Sequence, residues 1–371
     1  MTKRYALVVL LLLTAACATT DTNDASKRAA SGPGGYRVDA FWPKPLRSNW
    51  ILGQVAWVAT DSRDHVWIIH RPATILEDEK GALQNPPTSK CCTPAPTVME
   101  FDREGNYVQG WGGPGQGYDW PKNEHGVYVD PQGNVWIAGN DNTDHQILKF
   151  TRDGKFLMQI GKPGKSEGSN SKTQLGRPAH MELDPDANEL YVADGYGNRR
   201  VVVFNATTGG YKRHWGAYGA MPNDGKEPPY RPGDKSQQFA NVHCVHQSRD
   251  NLLYVCDRTN DRIQVFSKNG TFLNEFFIEP QTLASGSAFD IAFSPDAAQT
   301  YLYIADGTNG EVHVLRREDG KRVASFGRPG RMAGEFRSVH GMASDSKGNI
   351  YTAEVGNGRR VQKFVPAGAA R

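Results

Sequence analysis

The sequence has almost no surplus of charge of either sign: 43 Lys and Arg stand against 40 Asp and Glu, a net +3 over 371 residues. With no basic cluster and no nucleic-acid motif, that balance excludes nucleic acid and other acidic polymers as partners. Long apolar runs are missing as well. The stretch from Ala6 to Leu13 is too short to cross a bilayer and remain there. Cysteine is scarce, with five in all. Beyond Cys17 they fall into two near pairs, Cys91-Cys92 and Cys244-Cys256, read as structural rather than catalytic. Cys244 and Cys256 are equidistant from Asp250 at the tip of an apparent hairpin, so they can face each other across two strands.

What is present begins with an export signal. Lys3 and Arg4 precede the apolar run, and small residues follow it up to Cys17. The "TAAC" box resembles the cleavage site of bacterial lipoproteins, which predicts a signal peptide over residues 1-17 and a lipidated Cys17 as the new N-terminus. Export to the cell envelope, with membrane contact only through that lipid, follows. An ordinary secretory signal cut after a small residue is the alternative. Residues 18-35 are small and polar, and read as a flexible tether.

The remaining roughly 335 residues exceed the usual size of a single core, so either two domains or a repeat architecture is expected. The repeats decide between them. "NELYVADGYGNRRVVVFNATTGGYKRHWG", "NLLYVCDRTNDRIQVFSKNGTFLNEFF" and "TYLYIADGTNGEVHVLRREDGKRVASFG" share strand, polar turn, strand, Gly-containing turn, strand. Each is preceded by another short strand, and first strands begin near Val55, His125, Ala179, His243, Phe289 and His340. The last unit ends one strand short, while "YRVDAFW" at residues 36-42 is an orphan strand. An all-β, six-bladed β-propeller over residues 36-366 is predicted, its ring closed by the N-terminal strand. The repeat text resembles the NHL repeat family. Asp194, Asp257 and Asp306, with Arg200 and Arg262, recur with the repeat and are assigned to its structure.

Function is sought where the blades differ. At one register position they carry Ala56, His125, Ala179, His243, Phe289 and His340, with histidine on alternate blades. Innermost strands line a propeller's channel, so three such histidines converge about 120 degrees apart at one height, the arrangement of a three-histidine metal site with an open position. His180 is one residue out of register and is excluded. Residues ending second strands lie on the same face, which brings Arg71, Tyr196 and Arg258 near the histidines. The long insertions 72-97, 161-178 and 216-241 are on this face as well, and the other face has tight turns.

With "LGQVAWVA...HRP", "HGVYVD", "VADGYGNRR", "CDRTNDRIQVF" and "VHGMASD", the chain resembles the peptidyl-α-hydroxyglycine α-amidating lyases over most of residues 50-365. The resemblance implies zinc on His125, His243 and His340. It implies Tyr196 as general base, with Arg71 and Arg258 binding a carboxylate and favouring the phenolate. It also implies a calcium ion held through the backbone carbonyls of Val58 and Val127 and an aspartate after the last histidine, a position that is Gly341 here. The cysteines of the family's own disulfides are replaced by Gly197, Tyr254 and Val265, and Ser338 stands where the family has methionine. The expectation is a monomeric zinc lyase that splits an α-hydroxyglycine-like small-molecule or peptide carboxylate into an amide and glyoxylate. Two alternatives stay open: a non-catalytic propeller binding a partner or cell-envelope component, and a metal-dependent hydrolase or lactonase using the same axial pocket.

Overall fold

The computed structural model describes residues 35–47 and 49–368. Cys17 and most of the tether lie outside the described residues. Six four-stranded antiparallel sheets are present, and in each the strand that comes first in the repeat is at one edge. Those inner strands are Gln54–Thr60, Glu124–Val129, His180–Asp184, Val242–Gln247, Asp290–Phe293 and Val339–Ser344. In the sixth sheet Tyr36–Asp39 supplies the outer strand, pairing with the last strand from Tyr36 opposite Pro366 to Asp39 opposite Lys363. The first and last segments of the propeller are thereby hydrogen-bonded together, and the last blade is brought to four strands like the others.

Burial follows radius. The second strand of the first blade, Val66–Arg71, is buried at every residue, whereas the outer strand Tyr107–Trp111 is half-buried, with Val108 exposed. The apolar core is divided among the contacts between neighbouring blades. One cluster joins the first and second blades through Trp67, Ile69, Val135 and Phe150, and another joins the sixth and first through Tyr351, Ala353, Val58 and Ile68. No blade could bury its two faces alone, so stability is shared around the ring.

The recurring polar residues are structural. Arg200 meets Asp194 at 2.8 Å and Arg262 meets Asp257 at 2.9 Å, all four side chains fully buried. Where the fifth blade lacks the arginine, His313 contacts Asp306 at 3.0 Å. The turn acids have the same character, with Asp130 accepting from the Trp136 indole at 3.0 Å and Asp345 from the Tyr351 hydroxyl at 3.0 Å. Cys244 and Cys256 are opposite each other in the fourth blade and bonded, and Cys91 pairs with Cys92.

Candidate active site

His125, His243 and His340 come together on the propeller axis, all three buried, with ligand atoms close enough to share one metal ion. Each sits where its strand slips register against the next: between Glu124 and Val127, between Val242 and Cys244, and between Val339 and Gly341. Such a bulge takes one residue out of the ladder and re-aims its side chain. The first blade slips at the same place, between Val55 and Trp57, which releases Ala56.

The blades without histidine complete the arrangement. His125 Nδ1 lies 2.9 Å from the carbonyl of Ala179, His243 Nδ1 2.5 Å from that of Phe289, and His340 Nδ1 2.9 Å from that of Ala56. These three carbonyls occupy the same register position on the intervening blades, so the sixfold ring alternates between ligand and support. A carbonyl only accepts, so each Nδ1 carries the proton and each Nε2 presents a lone pair toward the axis. Burial, followed by the repulsion of neighbouring cationic groups, holds all three imidazoles well below the usual histidine range and keeps them neutral. His243 Nε2 and His340 Nε2 are only 3.2 Å apart, lone pair against lone pair. That contact is unfavourable by itself and favourable around a shared cation, so the donor set fits a metal of the zinc class.

Tyr196 closes the site from above. Its hydroxyl lies 2.9 Å from His125 Nε2 and 3.0 Å from His243 Nε2, and accepts from Arg258 Nη1 at 3.2 Å. One phenolic proton serves only one of the two nitrogens, so the hydroxyl adds to the demand for a cation. Arg71 is buried at 8% exposure, donating from Nε to the Glu124 carbonyl at 2.6 Å and from Nη1 to Gln54 Oε1 at 3.1 Å. Arg258 Nε is buried without a partner, and so is Asn241 Oδ1 two residues before His243.

Below the histidines the channel is sealed by a residue that the sequence pattern did not single out. The Trp57 indole lies 5.3 Å from His125, 5.4 Å from His243 and 5.6 Å from His340, ring centre to ring centre. On its other side it stacks on His180 at 5.0 Å. His180 therefore belongs to a second level of the channel, bound through Nδ1 to the Val245 carbonyl at 3.1 Å. A cavity of about 380 Å³ opens beyond it on the opposite face, lined by Trp57, Val58, Val127, His180, Glu182 and His246 among others.

At this level the calcium expectation lacks a ligand. A Cβ added to Gly341 would come to 3.0 Å from the Trp57 Cα and indole, so a side chain there would crowd the indole, and the carboxylate that should accompany Val58 and Val127 is absent. Two neutral carbonyls without that carboxylate are a poor donor set for calcium. At this level the charge is instead carried by His246, whose ring nitrogens lie 2.9 Å from Glu182 and 2.8 Å from Asp290. Burial opposes its protonation, but the two carboxylates override burial and push it up to about 10.

A family model for the lactonase-type seven-bladed β-propeller matches residues 127–337, more than half of the chain. The chain belongs to this family. It departs from the family's description in blade number, since six sheets close this ring. The lactonase-type propeller is similar to peptidyl-alpha-hydroxyglycine alpha-amidating lyase 1 of Drosophila melanogaster, 29% identical over 91% of this chain and 61% of that protein. NHL repeat-containing protein 3 of Mus musculus is 26% identical over 89% of this chain and 84% of its own length. The chain thus spans about three fifths of the fly lyase and most of the mouse protein. Among solved structures, a streptogramin B lyase superposes with a TM-score of 0.50 at 13% identity, covering 89% of this chain and 97% of that one, which speaks for the fold alone.

Proposed function

We propose that this propeller is a metal-dependent lyase acting on an α-hydroxyglycine-like carboxylate, with zinc on His125, His243 and His340. The observation that carries the reading is the Tyr196 hydroxyl, set within 3.0 Å of two of the three histidines and bonded to Arg258. Its likeness to the fly amidating lyase supports the same substrate class. The bound metal would supply a Lewis acid for the substrate's oxygens. Arg258 and Arg71 hold the carboxylate. Tyr196 takes the proton of the α-hydroxyl, the C–O bond becomes C=O as the C–N bond breaks, and the departing nitrogen is protonated. An amide and glyoxylate leave, with no oxidant required.

Export and a lipid anchor at Cys17 belong to the same proposal, and mass spectrometry of the membrane fraction should find a diacylated Cys17 peptide. Soluble protein beginning elsewhere would remove the anchor. The lactonase-type family match favours one other reading, hydrolysis of a lactone at the same centre. The deciding assay follows glyoxylate from a small N-acyl-α-hydroxyglycine with the metal-loaded protein, and ring opening of lactones beside it. Metal-loaded protein that opens lactones and never releases glyoxylate would exclude the lyase. Purified protein without bound metal would favour a binding propeller instead.

A further inference from the structure

The loops above the histidines carry one more cation than this reaction uses. Two residues before the axial position the six blades have Gln54, Asn123, Arg177, Asn241, Ser287 and Ser338. Five are neutral, so the repeat does not require Arg177. Its guanidinium lies over the Tyr196 ring at 5.6 Å, with Arg258 over the same ring at 5.5 Å.

Arg177 is held in place. It adopts φ of 61°, a left-handed conformation uncommon for a side chain of this size. Its backbone N–H donates to His145 Nδ1 at 3.2 Å, and its Nε donates to the Asn140 carbonyl at 3.0 Å. Among the described residues, the side-chain hydrogen bonds of Arg71, Arg177 and Arg258 all go to neutral groups. The acids nearest Arg71 are engaged elsewhere, Glu124 by the Trp120 indole and Asp144 by the backbone N–H groups of Lys122, Asn123 and Asp141. Three guanidiniums without acidic partners therefore surround a small site, and a single carboxylate engages two of them.

We infer that Arg177 is a specificity residue for a second anionic group, so that the substrate is a dianion with an additional carboxylate on its acyl side. The inference rests on the lyase reading for the first carboxylate. The second is recognised by the outward end of Arg177, whose Nε is already fixed, which limits the side-chain entropy lost on binding.

The test compares N-succinyl-α-hydroxyglycine with its neutral-ended analogue N-succinamoyl-α-hydroxyglycine on the full-length, metal-loaded protein. A charge-assisted contact predicts roughly 10- to 100-fold higher kcat/KM for the succinyl compound, expressed in KM. In Arg177→Gln that ratio should fall toward 1, and Arg177→Lys should restore part of it. Equal use of both compounds by the wild type would overturn the inference. So would an Arg177→Gln variant that loses kcat on both while keeping their ratio, since Arg177 would then only position Tyr196. Calorimetry with glutarate and butyrate separates the two layers of the argument. Tighter glutarate binding that Arg177→Gln abolishes, without glyoxylate from any compound, keeps the dianion site and removes the lyase. Indifference of the wild type between the two acids removes the dianion site.

Discussion

His246 should make this protein lose stability as pH rises from 7 to 9.5. Its imidazole is the positive centre between Glu182 and Asp290, 17% exposed, with a pKa raised to about 10. A group protonated more readily in the folded than in the unfolded state stabilises fully below its unfolded pKa, near 6.5, and ceases to do so as pH passes the folded value. From about 6.5 to about 10 the full effect has an upper bound of roughly 5 kcal/mol, of which roughly 3 kcal/mol should disappear between pH 7 and 9.5. Asp261, pushed up by burial to about 7, titrates through the lower end of this window, but does so in wild type and variant alike and cancels in their comparison. Burial holds the neighbouring His180 well below the usual range, so it stays neutral throughout. The assay is thermal melting of chelator-treated protein at half-unit pH steps, wild type beside His246→Gln. Removing the cation strands two carboxylates and should cost about 3 kcal/mol at pH 7. That gap should narrow by several degrees of Tm as pH approaches 9.5. Parallel curves for the two proteins would refute the claim that His246 is a buried imidazolium.

The remaining expectations concern the centre itself. His243→Ala should lose most of the bound metal by elemental analysis while His180→Ala retains it, because only the first removes a lone pair from the axis. Gly126→Ala should weaken metal binding by roughly 10- to 100-fold in a competition titration, since its Cβ would come within 2.3 Å of the Ala179 carbonyl that orients His125. Tyr196→Phe should keep folding and metal and lower glyoxylate release by about a hundredfold or more. An undiminished rate would remove Tyr196 from the chemistry.

The propeller was legible because its signal is local and repeated. Strand, turn and strand recur in the text, and an orphan strand at the start matches a missing strand at the end. The convergence of His125, His243 and His340 was legible too, because radial repetition turns equal register into equal position. What the register left out is the bulge at each of these residues, which depends on how a strand pairs with the next one.

Three other features were decided only when the blades met. The support carbonyls of Ala56, Ala179 and Phe289 belong to blades that looked empty in the register, since a backbone carbonyl has no letter of its own. Arg177 had a sequence signal, the one charge among six equivalent positions, but its place over Tyr196 comes from a fixed left-handed turn. Gly341 could be read only as a missing aspartate. In the folded chain one large indole from the first blade reaches under the three histidines and would be crowded by a side chain at this position of the sixth. Sequence determined the number of blades and the register that brings the three histidines to the axis, because periodicity encodes both. Which side chain occupies the shared space at the centre was decided by packing among residues far apart in the chain, where volume taken by one is denied to the others.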